Sequence, residues 1–358
     1  MTGAPDNAPP LRLLFWESTS RCNLACVHCR RQDTAEADAA SDLTTDEVEA
    51  VFDSAAEIGR PILVFSGGEP LMRDDWEPLA EHARGLGLPT ALATNGTLID
   101  GPLAGRICAA GFRRVSVSLD GADAVTHDRF RGVEGAFEKA LAGIAALRAS
   151  GQAVQINATI ARHNVEQLPD LLALARDSGA EALHLFLLVP VGCGVQLADS
   201  HVLPPERQRA VLEWICDRQA AGDAGLELKP TCAPQYIPMA ARRGLLPKDR
   251  PVRGCLSGRS IVFVGHAGDV FPCGYLPIFS GSVRQQRLAN IWRRARALAD
   301  LRDPDKLGGA CGRCEDRAVC GGCRARAHAA TGDCLAADPG CFRPADRDVQ
   351  VDTRQTTC

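Results

Sequence analysis

The sequence predicts an α/β protein with a parallel sheet, followed by a cysteine-rich region. Two observations lead to this fold class. Between residues 11 and 189, apolar runs of strand length alternate six times with stretches of helix length. After Thr231 the apolar periodicity fades, and Gly, Pro and Cys become frequent, which suggests that bound metal organises this part. The alternation fits both a partly closed barrel and an open doubly wound sheet.

The elements of the first half follow in order along the chain. We predict strands at Leu11–Glu17, Pro61–Phe65, Leu88–Ala93, Arg114–Leu119, Ala153–Ile160 and Ala182–Val189. Thr44 and Glu47 have capping-box spacing, so a first helix begins there and Gly59 ends it. Further helices are predicted at Asp75–Gly85, Leu98–Ala110, Gly135–Ser150, Val165–Ser178 and Pro204–Ala221. A short strand at Leu226–Lys229 and a hairpin, Ile261–Val264 with Val270–Phe271, come later.

Three cysteines follow the first strand in the pattern Cys-x3-Cys-x2-Cys: Cys22, Cys26 and Cys29. Three thiolates at this spacing can hold one face of an iron–sulfur cube. A 4Fe-4S cluster needs four ligands, so one iron would be left for a group that is not protein. A zinc half-site and a fragment of a disulfide framework are the alternatives. The x3 gap is less usual for zinc, and disulfide scaffolds belong to short secreted chains.

Other polar motifs follow the next strands. Because functional groups gather at the C-terminal ends of parallel strands, these motifs should share one rim with the cysteines. Adjacent glycines let a ligand approach the backbone closely, and a neighbouring carboxylate can pair with an ammonium group. Each motif alone fits an ordinary turn, whereas several on one rim indicate a site. The rim candidates are Gly67, Gly68, Glu69, Asn95, Ser118 and Asp120.

With Cys-x3-Cys-x2-Cys and a Gly-Gly-Glu-Pro strand end, the chain resembles the radical S-adenosylmethionine (radical SAM) superfamily. The resemblance implies a partial (β/α)6 barrel resembling a TIM barrel, with a 4Fe-4S cluster on the three cysteines. S-adenosylmethionine would chelate the open iron through its amino and carboxylate groups. One electron from the cluster would then cleave it to a 5′-deoxyadenosyl radical, which takes a hydrogen atom from the substrate.

The resemblance also assigns contacts to S-adenosylmethionine. Gly67, Gly68 and Glu69 would meet the methionine amino end, and Asn95, Ser118 and Asp120 the carboxylate or ribose. His28 takes the position of an aromatic residue that touches adenine, and Val189 with Pro190 would pack under adenine. Arg131 is a candidate for the methionine carboxylate, and a solvated surface charge is its alternative.

The cysteine-rich region contains two Cys-x2-Cys pairs, which alone favour zinc. In context, the region resembles the SPASM extension, which implies one or two auxiliary 4Fe-4S clusters. Cys232 is the candidate fourth ligand of the first auxiliary cluster, and an open iron that binds substrate is the alternative. Cys334 is an alternative to Cys341 as a ligand of the second auxiliary cluster. The last spacing of the four-cysteine run, between Cys320 and Cys323, is x2 where the family usually has x3. The implied ligands are Cys255, Cys273 and Cys323 for the first cluster, and Cys311, Cys314, Cys320 and Cys341 for the second.

Stretches around Trp16, 187–194 and 320–327 resemble the tetrapyrrole-tailoring branch of alternative haem biosynthesis. This implies removal of a propionate or acetate carboxyl group from an iron tetrapyrrole, with an auxiliary cluster taking up the surplus electron. Modification of a ribosomally made peptide is the alternative; those enzymes often carry a peptide-recognition domain, for which 1–10 leaves no room. A zinc-binding non-enzymatic protein is a remote alternative. Arginine forks suit propionates, although a solvated surface role fits each candidate as well: Arg242, Arg243, Arg250 and Arg253.

Composition limits location and partners. A net charge of −4 gives no nucleic-acid footprint. The longest apolar stretch, Leu185–Val191, is too short to cross a membrane, and the start does not read as a signal peptide. Sixteen cysteines then predict metal ligands in the reducing cytoplasm, with a flavodoxin or ferredoxin as electron donor. We expect a disordered start (1–10), a barrel (11–225), an auxiliary-cluster domain (226–344) and a mobile tail (345–358).

Overall fold

A computed structural model describes residues 8–31, 41–222, 224–247 and 252–343. Within them, ten strands form one sheet in the order β10-β9-β8-β1-β2-β3-β4-β5-β6-β7. They are β1 (Leu11–Glu17), β2 (Gly59–Ser66), β3 (Thr90–Thr94), β4 (Arg114–Ser118), β5 (Val154–Ile160), β6 (Ala182–Leu187), β7 (Glu227–Thr231), β8 (Ile261–Val264), β9 (Asp269–Phe271) and β10 (Gly281–Ser282).

Strands β1 to β7 are parallel, and each pairs with its neighbour in the sequence. A doubly wound sheet would reverse its strand order near the middle. Here the order never reverses, and right-handed crossovers then place the connecting helices on one face. The fold is therefore that of a partial barrel, open between β7 and β10 among the described strands, and the doubly wound alternative is wrong.

Thirteen α-helices are present in the described residues. They are α1 (Thr45–Ala56), α2 (Trp76–Gly85), α3 (Gly101–Ala109), α4 (Ala124–Arg131), α5 (Ala136–Ala149), α6 (Leu168–Asp177), α7 (Ala198–His201), α8 (Pro205–Ala221), α9 (Tyr236–Arg242), α10 (Leu288–Arg294), α11 (Arg296–Arg302), α12 (Gly309–Arg313) and α13 (Arg324–Thr331). The capping box that begins α1 is confirmed, with the Thr44 side chain accepting from the Glu47 amide and the Glu47 side chain accepting in return. Helix α3 starts three residues later than predicted, because Asp100 caps it and accepts from Leu103 N at 2.8 Å.

Side chains alternate between the two faces of the sheet. Leu14, Trp16, Leu63 and Phe65 are buried in the main core beneath the helices. The intervening side chains project from the opposite, concave face, which we call the inner face. Since β1 to β7 end on one rim, this alternation decides which polar groups surround the site.

The predicted hairpin is confirmed as β8 and β9, which are antiparallel. Strand β8 also pairs in parallel with β1, with Phe263 beside Phe15, and no feature of the sequence predicted this pairing. The cysteine-rich region thus continues the barrel sheet at its β1 edge. None of the described helices has the length and apolarity needed to cross a membrane. Residues 1–7, Arg250 and the expected tail (345–358) lie outside the described residues.

Candidate active site

The cysteine loop after β1 is held on one side by the end of β2. Gly68 N donates to Thr19 O at 2.9 Å, and Glu69 N donates to Arg21 O at 2.7 Å. A Cβ atom at Gly68 would lie 2.1 Å from Arg21 O, and Gly67 has a φ of 151°. The two glycines therefore admit the backbone of the cysteine loop, a reason for their presence that the sequence did not reveal.

On the other side, the loop rests on the C-terminal end of α4. Ala25 N donates to Arg131 O at 3.2 Å, and Val27 N donates to Phe130 O at 3.1 Å. Gly132 ends the helix with a φ of 72°, and a Cβ there would lie 2.3 Å from Ala25 O. Helix α4 was not predicted, although Asp123, which caps it, and Gly132 are its local start and stop signals.

Glu69 is fully buried and connects the ends of β2 and β3. Its carboxylate accepts from Thr94 Oγ1 at 2.7 Å and from Asn95 N at 2.8 Å. Burial raises the pKa of Glu69 to about 6, against the hydrogen bonds, which lower it. Asn95 Nδ2 in turn donates to Asn23 Oδ1 at 2.8 Å and lies 4.0 Å from Cys22 Sγ. These predicted rim residues therefore meet beside the cysteine loop.

Asp120 and Arg131 form a buried ion pair at the same rim, with Arg131 Nη2 2.6 Å from Asp120 Oδ2. Arg131 Nη1 also lies 3.7 Å from Cys26 Sγ. Burial is the largest influence on Asp120 and opposes its ionisation, but the charge of Arg131 and the smaller contributions of His28, the Thr159 amide and His127 together lower the pKa of the carboxyl group. The interpretation of Arg131 as a solvated charge is wrong, because its side chain is only 11% exposed.

His28 lies against this ion pair. Its ring stacks on Phe130, with 3.9 Å between centroids and 6° between planes, and its Nε2 is 3.5 Å from Asp120 Oδ2. Burial lowers the pKa of His28 to about 4, so the ring is neutral at pH 7. Two buried polar atoms of the group lack a hydrogen-bond partner among the described residues, namely His28 Nδ1 and Arg131 Nε. Such orphaned atoms fit a rim that receives a polar ligand.

The remaining rim candidates are placed differently from one another. Ser118 ends β4, half-buried on the inner face, in register with Asn157. Val189 is buried in a small apolar cluster with Leu276 and Ala325 of the C-terminal region. Its packing toward that region accounts for its burial without an adenine contact.

Burial favours the protonated form of two thiols in the cysteine loop. Burial raises the pKa of Cys22 to about 11 and also raises that of Cys26, with smaller contributions from the neighbouring thiols. A ligand to iron is the thiolate, so a cluster held by these cysteines would supply the positive charge that ionises them. No three His, Cys, Asp or Glu side chains in the described chain converge tightly enough for a single metal ion.

A second group of thiols lies at the end of β7. The Cys232 thiol has its pKa raised well above the ordinary value by burial, and then by Cys323, Cys273 and Cys255. Cys232 has a φ of 56°, and it is the only residue other than glycine that the structure describes in the left-handed region. Such a conformation persists only where the surroundings enforce it, and here the residue lies near the other three cysteines.

A buried ion pair missed in the sequence supports this group. Arg326 Nε donates to Asp338 Oδ1 at 2.9 Å, and both side chains are at most 3% exposed. Arg326 Nη2 donates to Cys232 O at 2.7 Å, while Asp338 Oδ2 accepts from Cys323 N at 2.7 Å. The pair therefore fixes the backbone at two of the four cysteines. The ion pair and its contact with Cys232 form only in the folded chain, so no local signal in the sequence could have predicted them.

The third group of thiols comprises the remaining cysteines of the run and one beyond it. Burial raises the pKa of Cys320 and of Cys341 to about 12, and each is raised further by Cys311. The pKa of Cys334 is also raised by burial, but the charges acting on it are those of Asp333, Arg324 and Asp300. The structure thus groups Cys341 with Cys311, Cys314 and Cys320, and Cys334 lies apart from these four thiols.

Arginines before Cys255 face away from this site. Arg242 donates to Asp316 at 2.8 Å and Arg243 to Asp217 at 2.6 Å, both as exposed pairs. Arg253 donates to Ala318 O at 2.6 Å. Their surface role is therefore favoured over binding of propionates.

Glu17 joins the cysteine loop to the C-terminal hairpin. Its carboxylate lies 2.5 Å from Arg30 Nη2 and 2.9 Å from His266 Nδ1. Burial alone would raise the pKa of Glu17, but Arg30 and His266 lower it to about 2. Arg30 is the residue after Cys29, so this ionised carboxylate ties the first thiol group to the auxiliary region.

Comparison with known proteins places these thiol groups in context. Residues 16–175 match the Radical SAM superfamily, and residues 255–315 match SPASM, described as an iron–sulfur cluster-binding domain. The AdoMet-dependent heme synthase of Methanosarcina barkeri (strain Fusaro) is 45% identical over 95% of this chain and 99% of its own length. The PqqA peptide cyclase of Xanthomonas campestris pv. campestris (strain 8004) is 32% identical, over 94% of this chain and 87% of its own.

Solved structures resemble the fold. Streptococcus suis SuiB bound to precursor peptide SuiA superposes with a TM-score of 0.72, covering 96% of this chain and 76% of that one. Sequence identity in that comparison is 17%, so the similarity concerns the fold alone. The predicted partial barrel with an iron–sulfur extension is confirmed.

Proposed function

Because this chain belongs to the radical SAM superfamily and has a SPASM iron–sulfur domain, we propose that it removes propionate carboxyl groups from an iron tetrapyrrole. The observation that carries the proposal is the 45% identity, over almost the full length of both chains, to an AdoMet-dependent heme synthase. Each propionate would become a vinyl group with loss of carbon dioxide and the equivalent of two hydrogen atoms.

Cofactor sites follow from the thiol groups. Cys22, Cys26 and Cys29 would hold the cluster that binds S-adenosylmethionine, and Cys232 would complete the first auxiliary site. When bound, the first cluster and S-adenosylmethionine together supply one-electron cleavage and hydrogen-atom abstraction. Arg131 keeps positive charge beside Cys26, and its ion pair with Asp120 holds both groups at the rim.

Glu69 would accept a hydrogen bond from the amino group of S-adenosylmethionine. The buried carboxyl with a pKa of about 6 is ionised at pH 7.5 and mostly protonated at pH 5.5. Since the carboxylate accepts the N–H of the amino group far better than the carboxylic acid does, the apparent Kd for S-adenosylmethionine should rise about fourfold between these values, as the ionised fraction of Glu69 falls. Anaerobic equilibrium binding with radiolabelled S-adenosylmethionine measures it. The variant Glu69→Gln should bind more weakly at pH 7.5 and show a flat profile, and an unchanged slope in that variant would remove Glu69 from this role.

The substrate is tested by incubating anaerobically reconstituted protein with S-adenosylmethionine, dithionite and iron coproporphyrin. Mass spectrometry should show a product lighter by one or two units of formic acid, together with 5′-deoxyadenosine. Unchanged porphyrin in an assay that still yields 5′-deoxyadenosine would contradict the tetrapyrrole proposal. Turnover of a peptide encoded by a neighbouring gene would then favour peptide modification, for which the 32% identity to a peptide cyclase speaks.

The proposal also covers the compartment, the electron donor, the domains and the partners of the enzyme. Sixteen cysteines, most of them proposed as cluster ligands, favour the reducing cytoplasm, and a flavodoxin or ferredoxin would supply electrons. The barrel would span 11–225 and the auxiliary-cluster domain 226–344. We expect neither nucleic acid nor a membrane as a partner.

A further inference from the structure

The inner face of the sheet has an apolar wall and a polar wall. Phe263 of β8, Phe15 of β1 and Val64 of β2 are register partners and form one apolar row. None of the three belongs to the main core beneath the helices. Across the barrel, Asn157 of β5 and His184 of β6 are register partners on the same face. An amphiphilic molecule with an apolar body and polar edge groups suits such a lumen.

The polar row continues to β7 and ends at Lys229. His184 pairs with Lys229 in register, and Asn157 pairs with Ser118 on β4. Leu228, the neighbour of Lys229, is buried in the core. Because side chains alternate along a strand, Lys229 projects from the inner face. Three strand spacings separate Lys229 from Ser118, which is roughly 14 Å.

Glu227, the acidic residue closest to Lys229 along β7, already has partners. Glu227 Oε2 accepts from Arg114 Nη1 at 2.9 Å, and Glu227 Oε1 lies 3.7 Å from His184 Nε2. Burial lowers the pKa of His184, so this ring is neutral at pH 7. Arg114 and Glu227 cancel one another in charge. Within the described part of the chain, no carboxylate lies within ion-pair distance of Lys229, so the polar wall has one uncompensated positive charge.

Building on the proposed function, we infer that Lys229 binds a carboxylate of the tetrapyrrole that is not the one being removed. The radical would form beside the cysteine loop, where Arg131 lies 3.7 Å from Cys26 Sγ and pairs with Asp120, so the reacting propionate would lie near Asp120, two residues beyond Ser118. A second propionate on the same rigid ring would reach Lys229, while the ring body lies against half-buried Phe15, since the Arg30 guanidinium covers Phe263 at 4.1 Å from its ring centroid. Lys229 is therefore a specificity residue that sets the orientation of the ring. It also lies three residues before Cys232, so a substrate held there extends toward the first auxiliary thiol group.

The test is binding of iron coproporphyrin to the reconstituted enzyme, measured by anaerobic absorbance titration without reductant. Lys229→Met should raise the Kd roughly tenfold or more, as expected for loss of a charge-assisted contact. Lys229→Arg should restore most of the affinity. Lys139→Met, which removes an exposed lysine from the outer helix α5, should bind like the wild type.

A second ligand separates a lost contact from a damaged fold. The tetramethyl ester of iron coproporphyrin has no carboxylate to offer, so wild type and Lys229→Met should bind it equally. Equal affinity of the two proteins for the free acid would overturn the assignment of Lys229. An equal loss of affinity for acid and ester in Lys229→Met would overturn it too. If the wild type binds no iron coproporphyrin at all, the proposed function itself fails.

Discussion

Replacing Cys26 with alanine is expected to reduce the cleavage of S-adenosylmethionine to background. The loop offers three thiols to a cluster that takes four ligands, so a chain with two of them would not retain it. Cys26 is also the thiol that Arg131 contacts at 3.7 Å. The yield of 5′-deoxyadenosine after dithionite reduction measures the effect, and iron analysis should show about four fewer irons per chain.

Cys108→Ala is the matched control for this variant. Cys108 is half-buried on α3, outside the three thiol groups. It should keep the iron content and the cleavage rate of the wild type. If Cys26→Ala still forms 5′-deoxyadenosine at the control rate, the cysteine loop is not the cluster site.

Asp338→Asn should be strongly destabilising. It preserves shape but leaves Arg326 charged and buried without its counter-ion. Breaking one partner of a buried pair typically costs about 3–5 kcal/mol. Because the pair also orients Cys232 and Cys323, the first auxiliary cluster should be lost, with about four irons per chain. Urea unfolding and iron analysis measure the two effects.

An exposed pair in the same region gives the comparison. Asp305 lies 3.1 Å from Arg317, with 74% and 43% of the two side chains exposed. Asp305→Asn should change the free energy of unfolding by less than about 1 kcal/mol and leave the iron content unaltered. Equal effects of the two substitutions would mean that the buried pair does not support the thiol group.

Elements with a strong local pattern were predictable. The apolar runs of β1 to β6 and the spacing of Cys22, Cys26 and Cys29 lie within short windows of the sequence. Helix α4 was missed because it is polar and has little apolar periodicity, although it carries Arg131 and supports the cysteine loop. Its cap residues were visible, but capping signals are weak without an apolar stripe.

Partners distant in sequence were not predictable. The pairing of β8 with β1 joins residues about 250 positions apart, and nothing in either strand specifies the other. Arg242 and Arg243 looked like anion-binding candidates because they lie close to Cys255. Their acidic neighbours, Asp316 and Asp217, become neighbours only in the folded chain. The reverse holds for Lys229, which did not stand out in the sequence. Only the sheet register shows that it has no acidic partner among the described residues.

The sequence by itself determined the fold class, the cysteine loop and the rim that follows the strands, because strand periodicity and thiol spacing are local properties. Only the tertiary structure decided that Cys232 joins the first auxiliary group, that Cys334 stands apart from the second, and that Arg131 is buried against Asp120. Burial and charge pairing depend on which segments meet in space. These meetings are fixed by the closing of the sheet and the packing around it, which no short window of sequence contains.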